Sequence, residues 1–293
     1  MIYNHSMNYL FFAWLASIVF GLEVIIGKIT SKRTVANPWL FNFVWSLFII
    51  MILFPFALIN HVGIPQFTTN LFLVSLFYAL ANIFYIISLQ IMDVTAMGPL
   101  FNFRSVFSVI LGVIMLGEKI NSFQIILIGI IFIAGILVNI DEKLQLKTFF
   151  RPAILIVMFF LLALALMGVY TNLAIAESGF WTTTLWSMMI AQLLFLFTIP
   201  FCWRDLLKTN IKKYSGLFLM SIASAGGTLA ANQAYTFNVG ITSIILSLPF
   251  SMVFTIIISV FNPYLLEHHT AKIYSLRIIA AAIMLVAALQ LSH

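Results

Sequence analysis

Residues 95–107 read TAMGPLFNFRSVF, and residues 242–254 read TSIILSLPFSMVF. The second stretch is the first displaced by 147 residues: Thr95 falls on Thr242, Val106 on Val253 and Phe107 on Phe254. Outward from there, the same offset places Gly21 on Gly168 and Trp39 on Trp186. Two residues added near Asn262 and Pro263 then bring Glu118 onto Glu267. In a chain rich in Ile, Leu and Phe, single apolar coincidences carry little. The weight rests on the Trp, Gly and Thr matches and on the shared order of apolar segments. The chain reads as one unit written twice, over 1–147 and 148–293.

Composition names the solvent. The chain is 63% hydrophobic and 8% charged, with a mean hydropathy of +1.14, where a soluble domain carries roughly 25% charged residues. Too few charges exist to cover a water-facing surface, so lipid must do it. The formal charge of +6 does not point to nucleic acid, because most basic residues sit in short loops between apolar runs. Cys202 is the one cysteine and rules out a disulfide within the chain. The apolar run from Tyr9 onward has no basic segment before it and no small-residue cleavage site after it, so it reads as a helix that stays.

A spanning helix needs about 20 mostly apolar residues. Ten such segments can be drawn, at 9–29, 38–60, 70–91, 95–116 and 122–140 in the first unit, and at 152–175, 182–203, 215–237, 241–265 and 271–291 in the second. The expected fold is therefore an all-α membrane protein of ten transmembrane helices, arranged as two inverted five-helix repeats. Inversion follows from the odd number, since the second unit must enter the membrane from the opposite side. Such repeats are the usual architecture of alternating-access transporters.

Loop charge is lopsided. One face holds Lys28, Lys32, Arg33, Lys143, Lys147, Arg151, Arg204, Lys208, Lys212, Lys213 and Lys272, with Arg277 expected to snorkel there. The face with both termini holds only Lys119. The positive-inside rule puts the first face in the cytoplasm and the termini outside.

The run Gly112-Val113-Ile114-Met115-Leu116-Gly117-Glu118, followed by Gly129 and Gly135, resembles the "LLGE…G…AG" end of the repeat in the EamA-type drug/metabolite transporter superfamily. Tyr264-Leu265-Leu266-Glu267 matches it more loosely in the second unit. Phe20-Gly21 and Lys28 are similar to the family's "WG…K" pattern, and Pro249 stands where the family often has a proline in a cavity-lining helix. The chain departs from the pattern at Asn102, the counterpart of Pro249. It departs also in orientation, because the family's usual topology puts the termini in the cytoplasm. The resemblance implies a secondary transporter in the cell membrane, with a cavity lined by helices 1, 3, 4, 6, 8 and 9.

Glu23 and Arg104 are the sharpest candidates for that cavity. A charge at a helix centre costs about 2.5–3.5 kcal/mol on translocon scales and usually faces a wet cavity or a partner. At 1.5 Å per residue, Arg104 lies about 14 Å into helix 4, and Glu23 roughly 8–10 Å from the end of helix 1. The two are expected to pair across the cavity, or to exchange partners with substrate. Arg104 suits a carboxylate or other anion, because its guanidinium forks onto two oxygens. Glu23 suits a coupling proton or a cationic group. Asn82, Tyr85, Asn102, Tyr170, Asn232, Gln233 and Tyr235 complete the candidate substrate site. Asn172 and Gln192 share their character, as interhelical hydrogen-bonding groups. Trp14, Trp45 and Trp186 could cage a quaternary ammonium, though membrane-interface belts explain them more simply.

Other chemistries find little support. The five histidines sit at helix ends or termini and no H-E-x-x-H exists. His268-His269 beside Glu267 makes a poor tetrahedral metal set. Asp93 stands alone at the end of helix 3, so no aspartate pair offers intramembrane proteolysis. Ala225-Gly226-Gly227 follows no strand and suits close helix approach rather than a phosphate cradle. No metal and no cofactor is expected, and no enzyme activity. The expected partners are a small-molecule substrate and the bilayer, for a monomer or a homodimer. With Arg104 nearly the only cation inside the membrane, an amino acid, an amine or a similar metabolite fits better than a sugar phosphate. A channel and a non-transporting scaffold subunit are the rivals.

Overall fold

The computed structural model describes residues 2–116, 121–138, 152–262, 265–266 and 270–291. Glu118, Lys119, the charged stretch from Asp141 to Arg151, Glu267, His268, His269 and His293 lie outside the described residues. Among the described residues the chain is all-helical, with no strand. In chain order the helices are α1 Ile2–Arg33, α2 Pro38–Ile59, α3 Thr69–Ile91, α4 Val94–Leu100, α5 Phe103–Leu116, α6 Ser122–Val138 and α7 Pro152–Ser178. There follow α8 Phe180–Leu196, α9 Ile199–Lys208, α10 Ser215–Tyr235, α11 Val239–Leu246, α12 Phe250–Phe261 and α13 Ala271–Leu291.

The helices begin where side chains can satisfy their first N–H groups. Asn37 Oδ1 accepts from the N–H groups of Trp39 and Leu40 at 3.0 and 3.3 Å, and Pro38 opens α2. Thr68 Oγ1 accepts from Leu71 N–H at 3.2 Å ahead of α3. Asn238 Oδ1 does the same for Ile241 at 2.8 Å ahead of α11. Among the described residues, seven helical stretches are long and apolar enough to cross a membrane, or eight if α8 and α9 count as one bent span, against the ten expected. Their outer faces are apolar, with Phe72, Ile125, Leu155 and Leu219 exposed, as lipid contact requires.

Three of the expected straight segments are interrupted. The segment at 95–116 breaks at Phe101–Asn102, between α4 and α5, and the segment at 241–265 breaks between α11 and α12 at Ser247–Pro249. The 147-residue offset carries the first break onto the second. The cause is local. Pro99 and Pro249 offer no N–H, and the chain passes the first break on i→i+3 bonds, Phe101 N–H to Gly98 O and Asn102 N–H to Pro99 O, both at 3.2 Å. The segment at 182–203 turns through 89° between α8 and α9. Thr198 Oγ1 takes the Phe195 carbonyl there at 2.7 Å, and Pro200 follows.

Packing follows the same offset. α1 lies along α10, and α3 along α7, the two most extensive contacts in the fold; α10 is the counterpart of α3, and α7 of α1. In the first pair, Ala13 and Ala16 meet Ala230, Ala231 and Ala234, and Gly227 lets the Phe20 ring approach. In the second, Phe77 stacks on Tyr170 with ring centroids 5.6 Å apart, Phe84 on Phe159 at 5.8 Å, and Asn70 Nδ2 donates to Glu177 Oε1 at 2.6 Å. α6 and α13 pack on each other. Two glycines repeat the relation. A Cβ on Gly21 would meet Phe250 Cβ at 2.8 Å and Ser251 N at 3.2 Å. One on Gly168 would meet Arg104 Nη2 and the Tyr235 ring at 3.5 Å. Ser251 is the counterpart of Arg104, as Gly168 is of Gly21.

The loops gather at two ends. At the basic end, Asn37 Nδ2 donates to Asp205 Oδ2 at 2.6 Å and Gln90 Nε2 to Ala36 O at 2.7 Å. At the other, Trp186 Nε1 donates to Gly63 O at 2.9 Å. Two cations read as loop or interface residues are buried near the basic end. Lys28 is 2% exposed, and its Nζ donates to Leu89 O and to Met92 O at 2.7 Å, so it caps the carbonyl end of α3. Arg277 does not snorkel: it is buried, donates to Thr95 Oγ1 and lies 3.9 Å from Asp93 Oδ2. Asp93 is therefore not alone.

Gly21→Ala is expected to destabilise the protein by about 1–3 kcal/mol, the usual cost of overpacking. The added methyl meets the Phe250 Cβ, the Phe254 ring edge and the Ser251 main chain. Gly129→Ala, with nothing within 4 Å of the added atom, is the control. A thermal-unfolding midpoint that falls in the first variant and holds in the second checks this.

Candidate functional site

Between the α1–α10 and α3–α7 pairs lies a cavity of about 140 Å³. Six of the nine candidate residues line it: Glu23 from α1, Asn82 and Tyr85 from α3, Arg104 from α5, and Asn232 and Tyr235 from α10. The other three do not. Asn102 is fully buried and its Nδ2 donates to Pro99 O at 3.0 Å, stabilising the break before α5. Tyr170 stacks on Phe77. Gln233 is absent from the lining, and its carbonyl accepts from Thr236 Oγ1 at 2.6 Å.

The two charges line the same cavity without pairing. Among the described residues no ion pair joins Glu23 to Arg104. Glu23, 6% exposed, faces Tyr85 and Ser224. Around it stand Trp45, whose Nε1 donates to Ser224 Oγ at 2.9 Å, Tyr78, and Phe160, whose ring lies 5.3 Å from that of Tyr85. Arg104, 5% exposed, donates from Nη2 to Tyr235 Oη and to Leu164 O at 3.3 Å, and its guanidinium carbon lies 5.7 Å from the Tyr235 ring centre. Tyr235 is held in turn by Asn172, whose Nδ2 donates to Tyr235 O at 2.8 Å. The expected pairing fails because the break at Phe101–Asn102 starts a new helix one residue before Arg104. That turn, with the space left at Gly168, aims the guanidinium at α7 and α10.

Among the described residues, the polar atoms on the cavity wall without a protein partner include Arg104 Nε, Thr183 Oγ1 and Ser251 Oγ. Buried polar atoms are costly when unpaired, so a polar ligand or water fits here. Among the described residues lining the cavity, Glu23 is the only acid and Arg104 the only base. Of the three tryptophans considered for a cage, only Trp45 reaches the cavity. Trp14 lies edge-on to Phe250 and Trp186 bonds to Gly63. Gln192 is helix glue, donating to Phe43 O at 3.4 Å.

The lining also includes residues that sequence reasoning missed. Thr183, Ser187 and Met188 on α8 belong to segment 7, outside the expected six; segment 2, also outside them, brings Trp45, considered only for a cation cage. Ser224 and Thr228 on α10 are also new. Small hydroxyl residues give no signal in a sequence, since in a membrane helix they bond to their own backbone, as Ser224 does to Met220 O at 2.9 Å.

Comparison with known proteins bears on the first half and on the fold. Residues 7–140 match the EamA-like transporter family, in line with the motifs at Gly21, Lys28 and Gly112–Glu118. No curated protein matches the sequence. A solved crystal structure of a protein aligns with 96% of this chain and 97% of its own at 13% identity, with a TM-score of 0.61. At that identity the likeness speaks for the fold alone, and it spans both halves.

Proposed function

We propose that this chain, whose residues 7–140 match the EamA-like transporter family, is a secondary active transporter of a small polar organic metabolite, an amino acid, amine or similar compound, working by alternating access in the cell membrane. The observation that carries the reading is one cavity lined by a carboxylate in an aromatic surround and by a guanidinium with no ion pair among the described residues, with further unpartnered polar atoms on its wall. Glu23 suits a coupling proton, and the rings of Trp45, Tyr78 and Tyr85 beside it suit an ammonium group. Arg104 suits a carboxylate. A single cation makes a doubly charged phosphate a poorer fit.

We read the fold as two inverted five-helix repeats of residues 1–147 and 148–293. The matched helix pairs, the matched breaks and the matched glycine contacts support this. Broken helices beside a cavity are a recurrent device of such transporters. Alternation has a candidate pair of latches. In the first repeat Lys28 on α1 holds the last carbonyls of α3 at the basic end; in the second Asn172 on α7 holds the last carbonyl of α10 at the other. Releasing one and then the other would open the cavity to each face in turn. With Cys202 replaced by Ser, Lys28→Ala is expected to speed labelling of a cysteine at Ser88 several-fold from the basic side. Unchanged labelling would remove Lys28 from gating.

The function itself is tested by uptake of labelled amino acids and amines into proteoliposomes. Saturable uptake with counterflow supports a transporter. Open-pore conductance supports a channel, and no uptake or binding supports a scaffold.

A further inference from the structure

Helix α9 leaves α8 at 89°, so it runs across the ends of the spans rather than through the membrane. Its inner side is fixed by Cys202, which is buried; on the flank, exposed Phe201 packs on Trp39 with ring centroids 5.6 Å apart, and exposed Asp205 accepts from Asn37. Its outer side is two-toned. Trp203 and Leu207, one turn apart, are exposed and apolar; Arg204 and Lys208, also one turn apart, are exposed and basic. The 3₁₀ turn Ile211–Tyr214 continues the pattern with exposed Ile211, Lys212 and Lys213. Residues 204–213 thus hold four cations against one acid, and that acid is engaged by Asn37.

A helix lying across the spans, with an exposed tryptophan and leucine beside a basic row, has the form of an interfacial anchor. Basic residues at that depth attract anionic headgroups within a Debye length. We propose that α9 and the following turn form a docking surface for anionic phospholipid, with Trp203 and Leu207 in the acyl boundary and Arg204, Lys208, Lys212 and Lys213 on the headgroup phosphates. The surface lies at the basic end of the molecule, and its role is independent of what the cavity carries.

The test uses the purified chain in nanodiscs of phosphatidylcholine containing either brominated phosphatidylglycerol or brominated phosphatidylcholine at equal bromine content. Difference fluorescence against Trp203→Phe isolates the Trp203 signal. Brominated phosphatidylglycerol is expected to quench Trp203 at least about twice as strongly. The excess should survive added inorganic phosphate, and it should vanish in the fourfold variant Arg204→Gln, Lys208→Gln, Lys212→Gln, Lys213→Gln. Because that variant could misfold, Lys212→Gln with Lys213→Gln, outside α9, is measured too and should lose part of the excess. Equal quenching by the two lipids overturns the proposal, as does an excess that both variants retain. An excess abolished by inorganic phosphate would mean a phosphate site and not a lipid one.

Discussion

Arg104→Gln is expected to lower substrate transport by at least about 100-fold while the protein inserts and folds as before. The guanidinium is buried, has one nitrogen without a protein partner, and is the only base among the described residues lining the cavity. A charge-assisted hydrogen bond contributes roughly 1.5–3 kcal/mol. A forked pair to a substrate carboxylate would therefore account for a loss of that size, at about 1.4 kcal/mol per factor of ten. Glutamine keeps a polar amide but ends two bonds short of the guanidinium nitrogens, so it cannot reproduce the substrate fork, and normalisation to folded protein separates that loss from the lost contacts to Tyr235 and Leu164 O. Arg104→Lys should rescue little, because an ammonium is a point charge without the planar fork. The measurement is initial uptake in proteoliposomes, normalised to folded protein by size-exclusion chromatography. Full activity in the glutamine variant would remove Arg104 from the site and leave it as packing between α5, α7 and α10.

Glu23→Gln is expected to abolish accumulation driven by an imposed pH gradient while leaving substrate counterflow within a few-fold of the unaltered protein. Glu23 is the only acid among the described residues lining the cavity, and it faces hydroxyl-bearing side chains rather than a fixed cation. A carboxylate so placed can take and release a proton, which an amide cannot. Counterflow needs no net proton movement, so the two assays separate coupling from binding. If counterflow fails as well, Glu23 holds the substrate's cationic group directly. If both assays are unchanged, transport runs without Glu23.

Much of this was legible in the residues. The solvent, the apolar segments and the capping residues Asn37, Thr68 and Asn238 act locally, through composition or through bonds a few positions away. Six candidate site residues were legible for a related reason: a large polar or charged group inside a membrane helix is costly unless something faces it. That argument says a partner exists but not which. It placed Asn102, Tyr170 and Gln233 with the others, although Asn102 bonds within its own chain turn and Tyr170 packs on a neighbouring ring. It paired Glu23 with Arg104 because their long side chains can span the difference in depth. It read Arg277 as an interface residue, although its partners Asp93 and Thr95 lie about 180 positions away.

The sequence by itself determined that this is an all-helical membrane protein whose two halves share a pattern, and that the charges deepest in the helices belong to the first half. Both are statements about residue type and spacing, which the bilayer reads directly through the cost of exposing polar groups to lipid. Only the tertiary structure decided where helices break and turn, and thereby which way each deep charge points. The direction of Arg104 depends on a break held by Pro99 and Asn102 and on the space at Gly168 on another helix. The lodging of Lys28 under the end of α3 depends on how closely α1 approaches it. Such contacts come from packing between segments far apart in the chain, and no local pattern encodes them.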